Sequence, residues 1–127
     1  MAEYWERFSG GPTRSRQDRI HVTLSDKGVI LFNRNAHRML GSPKAVVLFF
    51  NRSEAKIGVG TAHAELADAF PVHEKRNYWI VNAAPFCRHF GINVSRTEAF
   101  VGPDVDSKGV LRLDLKTTVS VAKRKRK

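Results

Sequence analysis

The chain has 127 residues, with 22 Lys plus Arg against 12 Asp plus Glu, a net charge of +10 and one cysteine, Cys87. That length makes one domain, or two small halves sharing a core, and a lone cysteine excludes an internal disulfide. The longest apolar run, AVVLFF at 45–50, falls far short of the about 20 residues of a membrane-spanning helix. With 42% hydrophobic residues the chain reads as globular rather than disordered.

Residues 1–19 read as a basic N-terminal arm. YWERF (4–8) holds three aromatics able to staple onto a core, and SGGPTRSRQDR (9–19) is turn-rich and carries Arg14, Arg16 and Arg19. Arms of this kind reach into nucleic-acid grooves, or simply solvate the start of a chain. The start MAEYWERFSGG lacks the apolar stretch of a secretory signal.

RIHVTLSDKGVILFN (19–33) alternates Ile20, Val22 and Leu24, breaks at SDKG, and resumes at Val29–Phe32. This predicts two strand segments around a tight turn or a bulge at Gly28. A short helix follows, capped by Asn33 or Asn35, whose side chain accepts from orphan amides. Ala36, Met39 and Leu40 share its inner face, while Arg34, His37 and Arg38 point elsewhere. Gly41 supplies a left-handed end and Pro43 prevents continuation. KAVVLFFNRSEAKIGVG (44–60) reads as a hairpin with strands at 45–50 and 56–60.

TAHAELADAFPVHEK (61–75) reads as a linker with one or two helical turns ended by Pro71. The segment 76–117 then repeats the plan. Tyr78–Val81 is a strand, and Asn82 precedes a short helix with Pro85 in its first turn, where proline is tolerated. Phe86 and Phe90 lie on that helix's inner face, and Gly91 ends it. TEAFVG (97–102) and GVLRLDL (109–115) read as strands joined by a turn. Arg38 and Arg88 each stand three residues before the terminal glycine of their helix. Each half is too small to be stable alone, so the halves should pair with each other or with another chain.

Catalytic and metal chemistry finds no foothold in the pattern. Histidines at 21, 37, 63, 73 and 89 lack ligand spacing, and one cysteine cannot build a paired thiolate site. Cys87 and His89, at i and i+2, face apart on a helix. GVGTAH (58–63) lacks the third glycine of a dinucleotide fingerprint and no long βαβ unit surrounds it. The expectation is a non-enzyme without cofactor or metal. The net charge favours a polyanionic partner, nucleic acid above all. The C-terminal KRKRK (Lys123, Arg124, Lys125, Arg126, Lys127) supplies half of the net charge and would add affinity without sequence information.

Residues 20–60, IHVTLSDKGVILFNRNAHRMLGSPKAVVLFFNRSEAKIGVG, resemble the AbrB-like swapped-hairpin DNA-binding domains. Those domains run strand, glycine turn, strand, short helix ending in LG, then hairpin; here Gly28 and Leu40–Gly41 stand at similar spacing. The resemblance implies interleaved half-barrels with basic residues on one face against DNA. His37 and Arg38 match the basic pair on the family's short helix, and His21 stands in the first strand, where a basic residue is frequent. Val29 stands where many members place a basic residue, and Asn33 where the family usually has proline.

The expectation is therefore a mainly β (α+β) protein. Two strand–short helix–β-hairpin units (20–60 and 76–117) would form a pseudo-two-fold swapped-hairpin barrel within one domain, 20–117, flanked by the arm and a basic tail, 118–127. Such a chain would be a small DNA-binding transcriptional regulator or antitoxin-like repressor, cytoplasmic and nucleoid-associated. It would be a monomeric pseudo-dimer or a homodimer, with no membrane partner. Arg34, His37, Arg38 and Arg88 would contact DNA, and Arg14, Arg16, Arg19 and the tail would add grip. The alternative is a protein–protein or ribonucleoprotein platform whose tail binds RNA or an acidic partner.

Overall fold

The computed structural model describes residues 20–63 and 66–121. The arm, with Arg14, Arg16 and Arg19, and the tail cations Lys123–Lys127 lie outside the described residues. The fold is mainly β: two antiparallel sheets share one core, and two short helices pack against it.

The first hairpin joins β1 (Val22–Leu24) to β2 (Val29–Asn33), and β2 runs straight into α1 (Arg34–Met39). A second hairpin, β3 (Ala45–Asn51) and β4 (Lys56–Thr61), follows. The stretch expected as a partly helical linker instead forms β5 (Phe70–Pro71) and β6 (His73–Glu74). Pro71 is tolerated there because β5 is an edge strand, where no ladder amide is required of it. β7 (Tyr78–Asn82) leads into α2 (Ala84–Phe90). The rest is β8 (Glu98–Phe100), β9 (Asp104–Val105), β10 (Leu111–Asp114) and β11 (Thr118–Ser120).

One sheet has the order β11-β8-β1-β2-β7-β6 and the other β5-β3-β4-β10-β9. The expected closed barrel is not formed: two open sheets enclose the core instead. Nor do the strands near 97–102 and 109–115 make a hairpin with each other. β8 joins the first sheet beside β1, and β10 joins the second beside β4. Residues 118–120, expected at the start of the tail, are an edge strand on β8.

Inward positions alternate as strand geometry requires. Val22, Leu24, Ile30, Phe32, Val81 and Phe100 face Val46, Ile57, Val59, Leu111 and Leu113 across one continuous core. Ala36 and Leu40 of the first helix region join that core, but Met39, expected beside them, is 52% exposed. A six-residue helix has room for only a narrow buried stripe, and here His37 takes part of it.

Within the first sheet β2 and β7 pair antiparallel over their whole length, from Val29↔Asn82 to Asn33↔Tyr78. Because α1 follows Asn33 and α2 follows Asn82, the two helices leave this pair at opposite ends. Four residue steps separate those ends, about 14 Å along the strands.

Candidate nucleic-acid interface

Each helix is held at its start and its end by different means. At the start of α1 the Asn33 side chain accepts from the Ala36 amide at 2.9 Å and from the His21 amide at 3.1 Å. One carboxamide oxygen thus ties the beginning of β1 to the beginning of the helix. Ala83, before α2, offers no side-chain cap, and Pro85 sits in the first turn instead, where its missing N–H costs nothing.

The C-terminal ends are the same motif twice. The Gly41 amide donates to the Arg38 carbonyl at 2.9 Å, and the Ser42 amide to that of His37 at 2.9 Å. In α2 the Gly91 amide donates to Arg88 at 3.4 Å and the Ile92 amide to Cys87 at 2.8 Å. This pair of bonds around a left-handed glycine satisfies the last carbonyls of a helix; Gly41 has φ 87° and Gly91 φ 68°. It leaves Arg38 and Arg88 in equivalent places, both exposed on a last turn.

Arg34 is exposed, its guanidinium 5.9 Å from the centre of the Trp79 ring. His37 corrects the expectation of an outward-pointing contact, since it is 8% exposed. Its ring stacks on Trp79 at 4.4 Å and 14°, and its Nε2 lies 2.8 Å from the Pro43 carbonyl oxygen. A carbonyl only accepts, so Nε2 carries the proton. The imidazole is a strut between helix and loop, which removes it from any surface contact.

At the other end Phe86, Phe90 and Phe50 form an aromatic cluster, with Phe86 and Phe90 5.1 Å apart. Arg52, from the β3–β4 turn, lies over Phe90 at 5.4 Å and over Phe50 at 5.9 Å. His89 packs edge-on to Phe90. Cys87 is buried, and that burial pushes its thiol up, so it stays protonated and behaves as a small apolar side chain.

Two lysines that local sequence pattern does not single out complete the ends. SDKGV (25–29) and DSKGV (106–110) form the same turn. In the first, the Gly28 amide donates to the Ser25 carbonyl, and Ser25 Oγ accepts from the amides of Lys27 and Val29. In the second, the Gly109 amide donates to the Asp106 carbonyl, and Asp106 Oδ1 accepts from the amides of Lys108 and Val110. These backbone amides hold the Asp106 carboxyl below its usual range. Lys27 lines a groove with Arg88 and Asp26, and Lys108 lines another with Met39 and Gly41. The repeated KGV triplet is the one signal in the sequence that points to both.

No arginine of either helix forms an ion pair among the described residues. Neither helix contains an acid. The two ion pairs among the described residues, Arg112–Asp104 at 2.6 Å and Lys56–Glu54 at 3.3 Å, both lie on the second sheet and its turns. Asp104 raises the Arg112 guanidinium further above its ordinary value. No group of three His, Cys, Asp or Glu among the described residues is placed to hold a metal ion, and no described helix is long and apolar enough to cross a membrane.

Comparison with protein-family models, with curated proteins and with solved structures finds no match for this chain.

Proposed function

We propose that this protein binds duplex DNA, as a small regulator or antitoxin-like repressor, through its two helix ends. The observation that carries the reading is the doubled arrangement: two strand–helix units back to back on β2 and β7, each ending in an exposed arginine without a carboxylate partner among the described residues. Arg34 and Arg38 stand at one end, and Arg88 with Lys27 and Arg52 at the other. The strand ends beneath them are about 14 Å apart, and cations carried at opposite ends of one strand pair suit phosphates on the two lips of a groove. In this reading His37 positions α1 rather than touching DNA, and the arm and tail arginines and lysines add non-specific affinity.

The likeness of residues 20–60 to AbrB-like domains supports the same reading. Strands of the two halves pair with each other, β1 with β8, β2 with β7 and β4 with β10, in keeping with two units interleaved about a pseudo-two-fold axis.

A second reading also has an observation behind it. Arg38 and Arg88 form two separate ends rather than one patch, which suits a protein–protein or ribonucleoprotein platform whose tail alone binds RNA or an acidic partner. A salt titration of duplex-DNA binding by fluorescence anisotropy separates the two. The full chain, a version lacking residues 123–127, and Arg38→Ala with Arg88→Ala are compared. For DNA binding by the body, the truncated protein keeps a steep dependence, and the double substitution lowers its log–log slope by about 2, near 0.9 for each phosphate no longer neutralised. Binding that vanishes with the tail removes the helix ends from the interface.

A further inference from the structure

The outer face of the six-stranded sheet carries a straight row of side chains, four of the six apolar. The registers Val119↔Ala99, Ala99↔Thr23, Thr23↔Leu31, Leu31↔Ile80 and Ile80↔His73 place six side chains side by side on the face turned away from the core. Apart from His73 at the edge, none of them is ionisable. β2 (VILFN) and β7 (YWIVN) are apolar on both faces, the composition of strands that are covered on both sides. Burial along the row is also uneven. Val119, at the edge, is 58% exposed, whereas Thr23 in the middle is only 7% exposed although it faces away from the core.

We propose that this face is the docking site of the chain's own N-terminal segment, with Tyr4, Trp5 and Phe8 laid across Thr23, Leu31 and Ile80. Three points select this occupant. The 19 residues before Ile20 lead directly into β1, which is the third strand of the sheet and carries the middle of the row. The eleven residues 9–19 span up to about 36 Å when extended, more than the about 24 Å width of six strands, so residues 4–8 reach any point on the row. Gly10, Gly11 and Pro12 are of the types that permit the chain reversal such docking over β1 requires. Aromatic side chains also offer the large apolar area that covering such a row takes. This inference is independent of whether the protein binds DNA.

Trp5 reports on it directly. The difference in emission between the full chain and Trp5→Phe isolates that residue from Trp79. The expected result is a blue-shifted difference spectrum with acrylamide quenching several-fold weaker than for a peptide of residues 1–12, unchanged over a hundredfold range of protein concentration. Leu31→Lys and, separately, Ile80→Lys are expected to return the quenching to the peptide value while near-UV dichroism shows the core intact. Quenching equal to the peptide's in the unsubstituted chain overturns the proposal. So does shielding that appears only as the protein dimerises in sedimentation, since the occupant is then a second copy.

Discussion

The two ends of this molecule use the same turn and the same helix terminus, yet they are held together by different chemistry. At the α2 end the backbone comes into direct contact. Gly28 lies so close to the helix start that a Cβ on it would meet the Ala84 Cα at 2.7 Å, and the Ala83 amide donates to the Gly28 carbonyl at 2.8 Å. Three phenylalanines fill the space behind. At the α1 end Gly109 has nearly the same φ, 83° against 81°, but a Cβ there meets nothing within 4 Å. That end depends on polar fixtures: the Asn33 cap and the His37 bond to Pro43. Equivalent backbone motifs therefore do not imply equivalent packing, and substitutions at matched positions should separate the two.

The largest difference is expected in the aromatic cluster. Phe86→Ala removes a ring that packs on Phe90 and Phe50 in the core, and should lower unfolding free energy by about 3–5 kcal/mol. His37→Ala at the other end loses the Trp79 stack and leaves the Pro43 carbonyl without its donor, a cost of about 1–3 kcal/mol. Denaturant titration measures both; equal losses would mean that the α1 end is as dependent on packing as the α2 end.

The glycine pair isolates space from backbone conformation. Gly109→Ala meets only the left-handed φ, about 1–2 kcal/mol. Gly28→Ala meets the same φ and, in addition, overlap with the Ala84 backbone, about 1–3 kcal/mol more. If both substitutions cost the same, α2 must be free to shift away from the turn.

Much of this arrangement follows from local pattern. An asparagine at 33 or 35 before the Ala36–Leu40 apolar pair, Gly41 and Gly91 after the helices, Pro85 in a first turn and the alternation of Leu111 and Leu113 all predict their elements because each rests on chemistry within a few residues. What local pattern does not carry is pairing at a distance. β8 and β10 look like neighbours in a hairpin, yet they are drawn to β1 and β4 in different sheets. His37 reads as a surface cation because nothing near it in sequence shows that Trp79, 42 positions later, offers it a ring to stack on. The short β5 and β6 carry too little alternation to be seen before the strands they pair with are known.

The cap supplies a smaller effect of the same kind. Asn33→Ala should cost about 1–2 kcal/mol, because it orphans the Ala36 amide at the helix start and frees the His21 amide at the head of β1. Ala83 has no cap to lose. Amide exchange by NMR should therefore accelerate at Ala36 and His21 while Cys87, in α2, keeps its protection. Acceleration at both helices would mean that the two ends unfold as one unit.

The smallest effect distinguishes the two turns by pH. Ser25 and Asp106 accept the same pair of amide bonds, but only Asp106 titrates. Its carboxyl is held below the usual range by the Val110 amide first, then by the Lys108 amide and the charges of Arg112 and Lys108. A depressed folded-state value means that the unfolded chain binds the proton more readily. The contribution to stability is then full above the ordinary carboxylate range and is lost as pH falls through the lowered folded-state value. Protection of the Lys108 and Val110 amides should fall on acidification through that window, relative to the Lys27 and Val29 amides, which rest on a hydroxyl. Asp106→Asn, which keeps an accepting oxygen without the charge, should remove the difference. If protection instead falls equally at both turns, the loss comes from carboxylates elsewhere, and the local bonds of Asp106 hold the turn whether or not it is charged.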